Sequence, residues 1–237
     1  MRSETLALSS LAVFVVLVLN GCGSNKPSPQ VTTTPSPVAP SQTLQNYVAI
    51  GDCGQVRKML NVDRSLVNTL DRFGWTVLQR AANPGGRSGP MTLLGIPIGG
   101  ATTLPDCVAT LIDHGADVNI RARNGATALH VVVSYPYIPP DQRRNNIVNG
   151  EPFADLLDRA QLRSLNLILA AKPDINPKMT DGDTPLHLAS HFGRSEMARQ
   201  LLKAGADRNI RNGDGKTAAE VASAEKFEDL ARELDAK

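Results

Sequence analysis

Apolar residues follow three regimes along the chain. Leu6 to Leu19 is almost unbroken apolar sequence. Gly23 to Thr43 is rich in Pro, Ser and Thr and offers almost nothing to bury. From Leu44 onward the pattern breaks into short bursts with helical spacing. The burst at Thr184 shows the logic. Thr184 suits a helix cap, and Pro185 suits a first turn, where a missing N–H costs little. Leu186 and Ala189 lie three apart, on one helix face. Gly193 permits a tight link to a second helix, whose apolar stripe is Met197, Leu201 and Leu202. Gly205 ends that helix in left-handed conformation. Asp207 and Asn209 carry turn chemistry into a hairpin. Each such helix pair leaves apolar faces uncovered until a neighbour stacks on it.

The burst recurs. "TPLHLAS" at Thr184 has relatives in "TVLQRAA" at Thr76, "TALHVVV" at Thr127 and "TAAEVAS" at Thr217. A second word, "GADVN" at Gly115, returns as "GADRN" at Gly205 and, degraded, as "KPDIN" at Lys172 and "RSLVN" at Arg64. The Asn closing one word and the Thr opening the next are eight apart each time: 68 to 76, 119 to 127, 176 to 184, 209 to 217. Thr184 to Thr217 is 33 residues. The pattern resembles the ankyrin repeat, whose period is 33, from about Leu44 to the C-terminus. The resemblance implies an all-α fold, a solenoid of helix-turn-helix units with short β-hairpin connections. About five units fit residues 44–237. The first, with "NYVAIGDCGQVRKMLN", and the last, with "KFEDLARELDAK", read as caps. Two units are swollen by insertions between their helices, near 84–104 and 134–157. The first carries Leu93, Leu94, Ile96 and Ile98; the second carries Tyr135, Tyr137, Arg143 and Arg144. The insertions are expected side by side, either as a packed lobe or as a partner surface. Lys172-Pro173 replaces the Gly of the third unit, so a displaced third hairpin is an open alternative there.

The N-terminal regimes read as export. The 14 residues from Leu6 to Leu19 fall short of a membrane span, which takes about 20, and suit a signal peptide over 1–21. Leu19-Asn20-Gly21-Cys22 resembles a bacterial lipobox, although Asn20 is bulkier than the usual residue there. The resemblance implies a diacylglycerol on Cys22 and an acylated new amine, giving the membrane contact through lipid alone. Gly23 after the Cys implies sorting to the outer membrane in a Gram-negative cell, facing the periplasm. Residues 22–43 then form a tether of up to about 60 Å, the prolines favouring extended chain.

Composition narrows the function. With 25 basic against 23 acidic residues and a net charge of +2, the chain has no electrostatic footprint for nucleic acid. "GDGKT" at Gly213 resembles the end of a phosphate-binding loop, but Ile210 stands where the first Gly belongs. His187 and His191 have a spacing that can bind metal, yet the repeat assigns His187 and His130 to hairpin backbone, so neither metal nor cofactor is expected. No catalytic constellation stands out. Cys53 and Cys107 are close in register, which leaves a disulfide between neighbouring repeats or two separate buried thiols. The resemblance implies protein binding through hairpin tips and the concave face. In this chain that maps onto Arg72, Phe73, Trp75, Arg121, Arg123, Met179, Asp181 and Asn212. The expected partner of this monomer is another envelope protein; lipid-anchored ankyrin proteins include immunity factors against periplasmic toxins and oxidative-stress factors. A structural envelope spacer and an enzyme built on the inserted lobe are the competing readings.

Overall fold

The repeated Thr explains where each repeat's helix begins. Thr76, Thr127, Thr184 and Thr217 stand in extended backbone just before a helix, and each closes a capping box with the residue three further on, Gln79, His130, His187 or Glu220. The structure is a computed structural model that describes residues 39–83, 92–93, 96–97, 100–134, 147–148 and 150–236. Cys22, the tether through residue 38, and Leu94, Ile98, Tyr135, Tyr137, Arg143 and Arg144 lie outside them.

Five helix pairs are described. They are α1 (Pro40–Ile50) with α2 (Cys53–Val62), α3 (Val77–Ala82) with α4 (Gly100–Asp113), α5 (Ala128–Val133) with α6 (Phe153–Ala170), α7 (Pro185–His191) with α8 (Ser195–Lys203), and α9 (Ala218–Ala224) with α10 (Glu228–Asp235). A 3-10 turn, Arg64–Asn68, follows α2. Two minimal antiparallel hairpins lie in the insertions: β1 (Thr92–Leu93) with β2 (Ile96–Pro97), and β3 (Ile147–Val148) with β4 (Glu151–Pro152). First helices touch in the succession α1, α3, α5, α7, α9; second helices do so through α2, α4, α6, α8. The fold is therefore a two-layer solenoid of stacked helix pairs, as the register implies.

Residues in one register position form one column of the core. Two places after each Thr stand Leu78, Leu129, Leu186 and Ala219, all buried; five places after stand Ala81, Val132, Ala189 and Ala222, each 0% exposed. Small side chains in that second column let neighbouring first helices approach. Sixteen places before each Thr, the second helices supply Leu60, Leu111, Ile168 and Leu201, again fully buried. Each such burial contributes about 2 kcal/mol, so the columns hold the stack together.

Three boundaries differ from the sequence reading. Helix α1 starts at Pro40 rather than 44, because Pro sits at its first turn and Leu44 is already buried within it. Ser195 opens α8 at 14 residues before Asn209; the same offset falls on Pro105 in α4 and Leu162 in α6. Both helices begin earlier, at Gly100 and Phe153. The ends of both insertions are thus helical extensions of second helices. In α6 the extension buries Ala154, Leu157, Ala160 and Gln161, an apolar stripe with helical period, and α6 packs on α4. Cys107 consequently lies in the middle of α4.

The third hairpin is not displaced. Lys172 takes the left-handed conformation itself, at φ 54°, where Gly115 and Gly205 stand in their units. Its N–H bonds Leu169 as those glycines bond Ile112 and Leu202.

Candidate protein-binding ridge

Each hairpin is built by the same bonds. The residue five before the Thr donates its N–H to the residue just before the Thr, at 2.8 Å from Asp71 to Trp75, 2.8 Å from Ala122 to Ala126, 2.8 Å from Met179 to Asp183 and 3.0 Å from Asn212 to Lys216. Two places before each Thr is a glycine at φ between 74° and 83°, namely Gly74, Gly125, Gly182 and Gly215. This glycine column is legible in the sequence as a fixed offset from each Thr.

Side chains then stitch one hairpin to the next. Gln79 donates to the carbonyl of Ala126 at 2.9 Å, while His130 Nε2 meets that of Asp183 at 3.2 Å and His187 Nε2 that of Lys216 at 3.0 Å. The repeated Asn forms a second ladder: Asn68, Asn119 and Asn176 each accept the N–H of Asp117, Asp174 and Asp207, all at 2.9 Å. Backbone closes the third and fourth hairpins onto their predecessors, Thr180 N–H to Asn124 at 3.0 Å and Gly213 N–H to Asp181 at 2.8 Å. The result is a ridge of hairpin tips in one register.

Of the residues expected on it, Arg72, Arg121, Arg123 and Asp181 are exposed. Arg72 lies over the Phe73 ring at 4.8 Å; Arg80 lies over Phe73 at 5.8 Å and over Trp75 at 5.0 Å. Both aromatics are half-buried, and Trp75 packs on the core. Asp71 organises this cluster. Its carboxylate accepts the N–H groups of Phe73 and Trp75 and pairs with Arg80. Burial raises its pKa, but the bonds from Trp75, Arg80 and Phe73 outweigh that and hold it below the usual carboxylate range. Arg123 reaches the Arg72 carbonyl at 3.5 Å and Arg121 the Lys178 carbonyl at 2.7 Å.

Met179 and Asn212 are half-buried. Asn212 is tied into the hairpins: its amide donates to Asp183 of the preceding hairpin at 2.8 Å and its carbonyl accepts from Asp214 and Lys216 of its own. It shapes the turn and presents little to a partner. Sequence reasoning missed Arg80 and Arg211, and left Lys178 in doubt along with the third hairpin. The signal for two of them was the column six before each Thr, which runs Leu70, Arg121, Lys178, Arg211.

At the other edge, Cys53 of α2 and Cys107 of α4 are joined by a disulfide, with Cα atoms 4.9 Å apart. Arg194, 5% exposed, donates to Asp158 and Gln161 of the α6 extension at 2.6 Å each. Beside it a cavity of about 640 Å³ is floored by Leu162, Met197, Phe227 and Leu230 and rimmed by charges of both signs. His191, once a metal candidate, pairs with Glu225 at 3.0 Å.

Stacked helix pairs, capped by Thr and laced through hairpin backbone, define the class: a repeat solenoid with a presented ridge. Residues 168–222 match the family model for ankyrin repeats (many copies), so the chain carries ankyrin repeats. It is similar to alpha-latrotoxin-Lg1a of Latrodectus geometricus, 30% identical over 138 residues, 53% of this chain and 10% of the toxin. It is similar also to the B-cell lymphoma 3 protein homolog of Mus musculus, 28% identical over 142 residues, 54% of this chain and 32% of the relative. Protein phosphatase 1 regulatory subunit 12A of Mus musculus is 33% identical over 109 residues, 46% of this chain and 8% of that subunit. The chain thus spans a third or less of the length of these relatives. Ankyrin repeats imply protein–protein interaction as the coarse function.

Proposed function

We propose that the chain is a lipid-anchored cell-envelope module whose hairpin ridge captures another protein. The carrying observation is the continuous ridge from Arg72 to Asp181, held in register by interhairpin bonds. Aromatic and Arg residues together are the usual anchors of such interfaces. A relative bearing the name of a phosphatase regulatory subunit supports binding rather than catalysis. Lipidation at Cys22 is supported by Leu19-Asn20-Gly21-Cys22 and by the polar stretch behind it. In this reading the monomer hangs from the outer membrane into the periplasm and restrains a toxin or serves stress protection.

Crosslinking in cells followed by mass spectrometry tests capture. A partner is expected, and Trp75→Ala or Arg123→Glu weakens its recovery while leaving the helical circular dichroism intact. Equal recovery from both variants would reject the ridge. Incorporation of an alkyne fatty acid, lost in Cys22→Ala, tests the anchor. A toxin among the crosslinked proteins selects immunity; peroxide sensitivity on deletion selects stress protection.

A further inference from the structure

Charge is not spread evenly over this molecule. On the second-helix layer Arg159, Arg163, Arg194, Arg199 and Arg232 pair with carboxylates, while Arg57 bonds the Thr110 hydroxyl and, nearby, Arg208 bonds the Leu234 carbonyl. Arg80 has Asp71 and Arg211 has Glu220. On the first three hairpins the pattern stops. Arg72, Arg121, Arg123 and Lys178 have no carboxylate partner among the described residues. Arg72 lies over the Phe73 ring, and the other three are steered by neutral carbonyls: Arg123 by that of Arg72, Arg121 by that of Lys178, Lys178 by that of Arg211 at 3.2 Å. Each bond orients a cation along the ridge without neutralising it. Asp71, the one acid of the first two hairpins, is occupied by Arg80. The chain's overall charge of only +2 makes this local excess a property of the ridge.

We propose that Arg72, Arg121, Arg123 and Lys178 form the recognition site for an acidic polypeptide segment of the partner, laid along hairpins one and two beside Phe73 and Trp75 and ending at Lys178, ahead of the third hairpin. The proposal rests on the protein-binding reading above and adds the partner's chemistry. Carboxylates supply what the four cations lack, and Arg takes them in bidentate geometry. Opposite-sign patches steer encounter and suppress wrong partners. A nucleic acid is disfavoured because Asp181, Asp183 and Asp214 occupy the third and fourth hairpins. A uniform phosphate backbone following the ridge would run into them, whereas a polypeptide can end its acidic run before them.

The test uses the full chain in detergent micelles and a fluorescein-labelled Glu-rich decapeptide. A Lys-rich decapeptide and a single-stranded oligonucleotide of equal length serve as the other arms. Anisotropy is read at low and high salt, with Trp75 emission, from the sole Trp, as a second signal. The Glu peptide is expected to bind at least tenfold tighter than the Lys peptide. Arg121→Glu with Arg123→Glu is expected to weaken it about tenfold or more, and raised salt to weaken the unaltered protein similarly. If that pair fails to fold, Arg121→Gln with Arg123→Gln replaces it, with a smaller loss expected. Equal binding of both peptides, or a change under twofold in the folded variant, overturns the proposal. Tighter oligonucleotide binding replaces it with nucleic-acid recognition. Its failure is separable from that of the ridge reading: partner capture lost in Trp75→Ala but kept in the Arg double variant retains the ridge and rejects the acidic segment.

Discussion

Burial holds His130 neutral in the folded chain, its pKa pushed down to about 4 from 6.5, and its Nε2 faces the Asp183 carbonyl. The unfolded chain takes up that proton below pH 6.5, the folded chain only near 4. Stability from this residue is therefore complete above pH 6.5 and is lost as pH falls from there to about 4. The loss is at most about 3 kcal/mol. Urea unfolding of the unaltered protein at pH 7 and pH 4.5 should show it. His130→Gln, which copies Gln79 at the same register position, should lose markedly less over that range; an equal loss would assign the pH effect elsewhere. Lys172 makes the opposite case. A side chain in left-handed conformation costs about 1 kcal/mol, and Gly occupies this position in two other units. Lys172→Gly is expected to raise the melting temperature by about 3 °C.

At the scale of elements, two links join helices that are far apart in sequence. The Cys53–Cys107 bond spans 54 residues and fastens α2 to α4. A loop of that length gives about 4 kcal/mol in the chain-entropy picture. The Cys53→Ala, Cys107→Ala pair should therefore melt many degrees lower than the oxidised protein, and reductant should have no further effect on it. Arg194 is the second link, tying α8 to the α6 extension. Removing it takes from Asp158 and Gln161 the guanidinium bonds they accept. Arg194→Met is expected to cost about 2–3 kcal/mol and to speed proteolysis within residues 153–161, read by mass spectrometry of early fragments. Unchanged cleavage there would mean the extension is held by its apolar stripe alone.

For the whole molecule, a stack in which repeats touch only their neighbours has stability that is local. The columns of Leu and Ala couple each pair to the next, and no described contact couples α2 directly to α8 strongly enough to bypass α4 and α6. Reducing the disulfide should raise amide exchange in α1–α4 severalfold or more. Protection in α7 and α9 should stay within about threefold. Loss of protection at both ends together would show a single cooperative unit instead. The same argument supports the proposal that recognition falls on the hairpin ridge, where side chains of successive repeats are aligned without being needed to hold the helices.

The amino-acid sequence by itself determined the repeat, its caps and its hairpins. The reason is that these rest on short offsets: Thr to the residue three on, Asn eight before Thr, and side chains bonding backbone in the adjoining unit. Tertiary structure alone decided the rest. Cys53 and Cys107 lie 15 and 12 residues before their Asn, an offset of about one helical turn. Whether they meet depends on how α4 settles against α2. The insertion ends read as loops because their apolar residues make a helix stripe only when α4 and Arg194 cover them. Asn212 looked free because sequence does not show which tip residues are taken up by bonds within and between hairpins. The unneutralised cations were equally hidden. Arg72, Arg121 and Arg123 look like any other arginines until the fold shows which ones have carboxylates in reach.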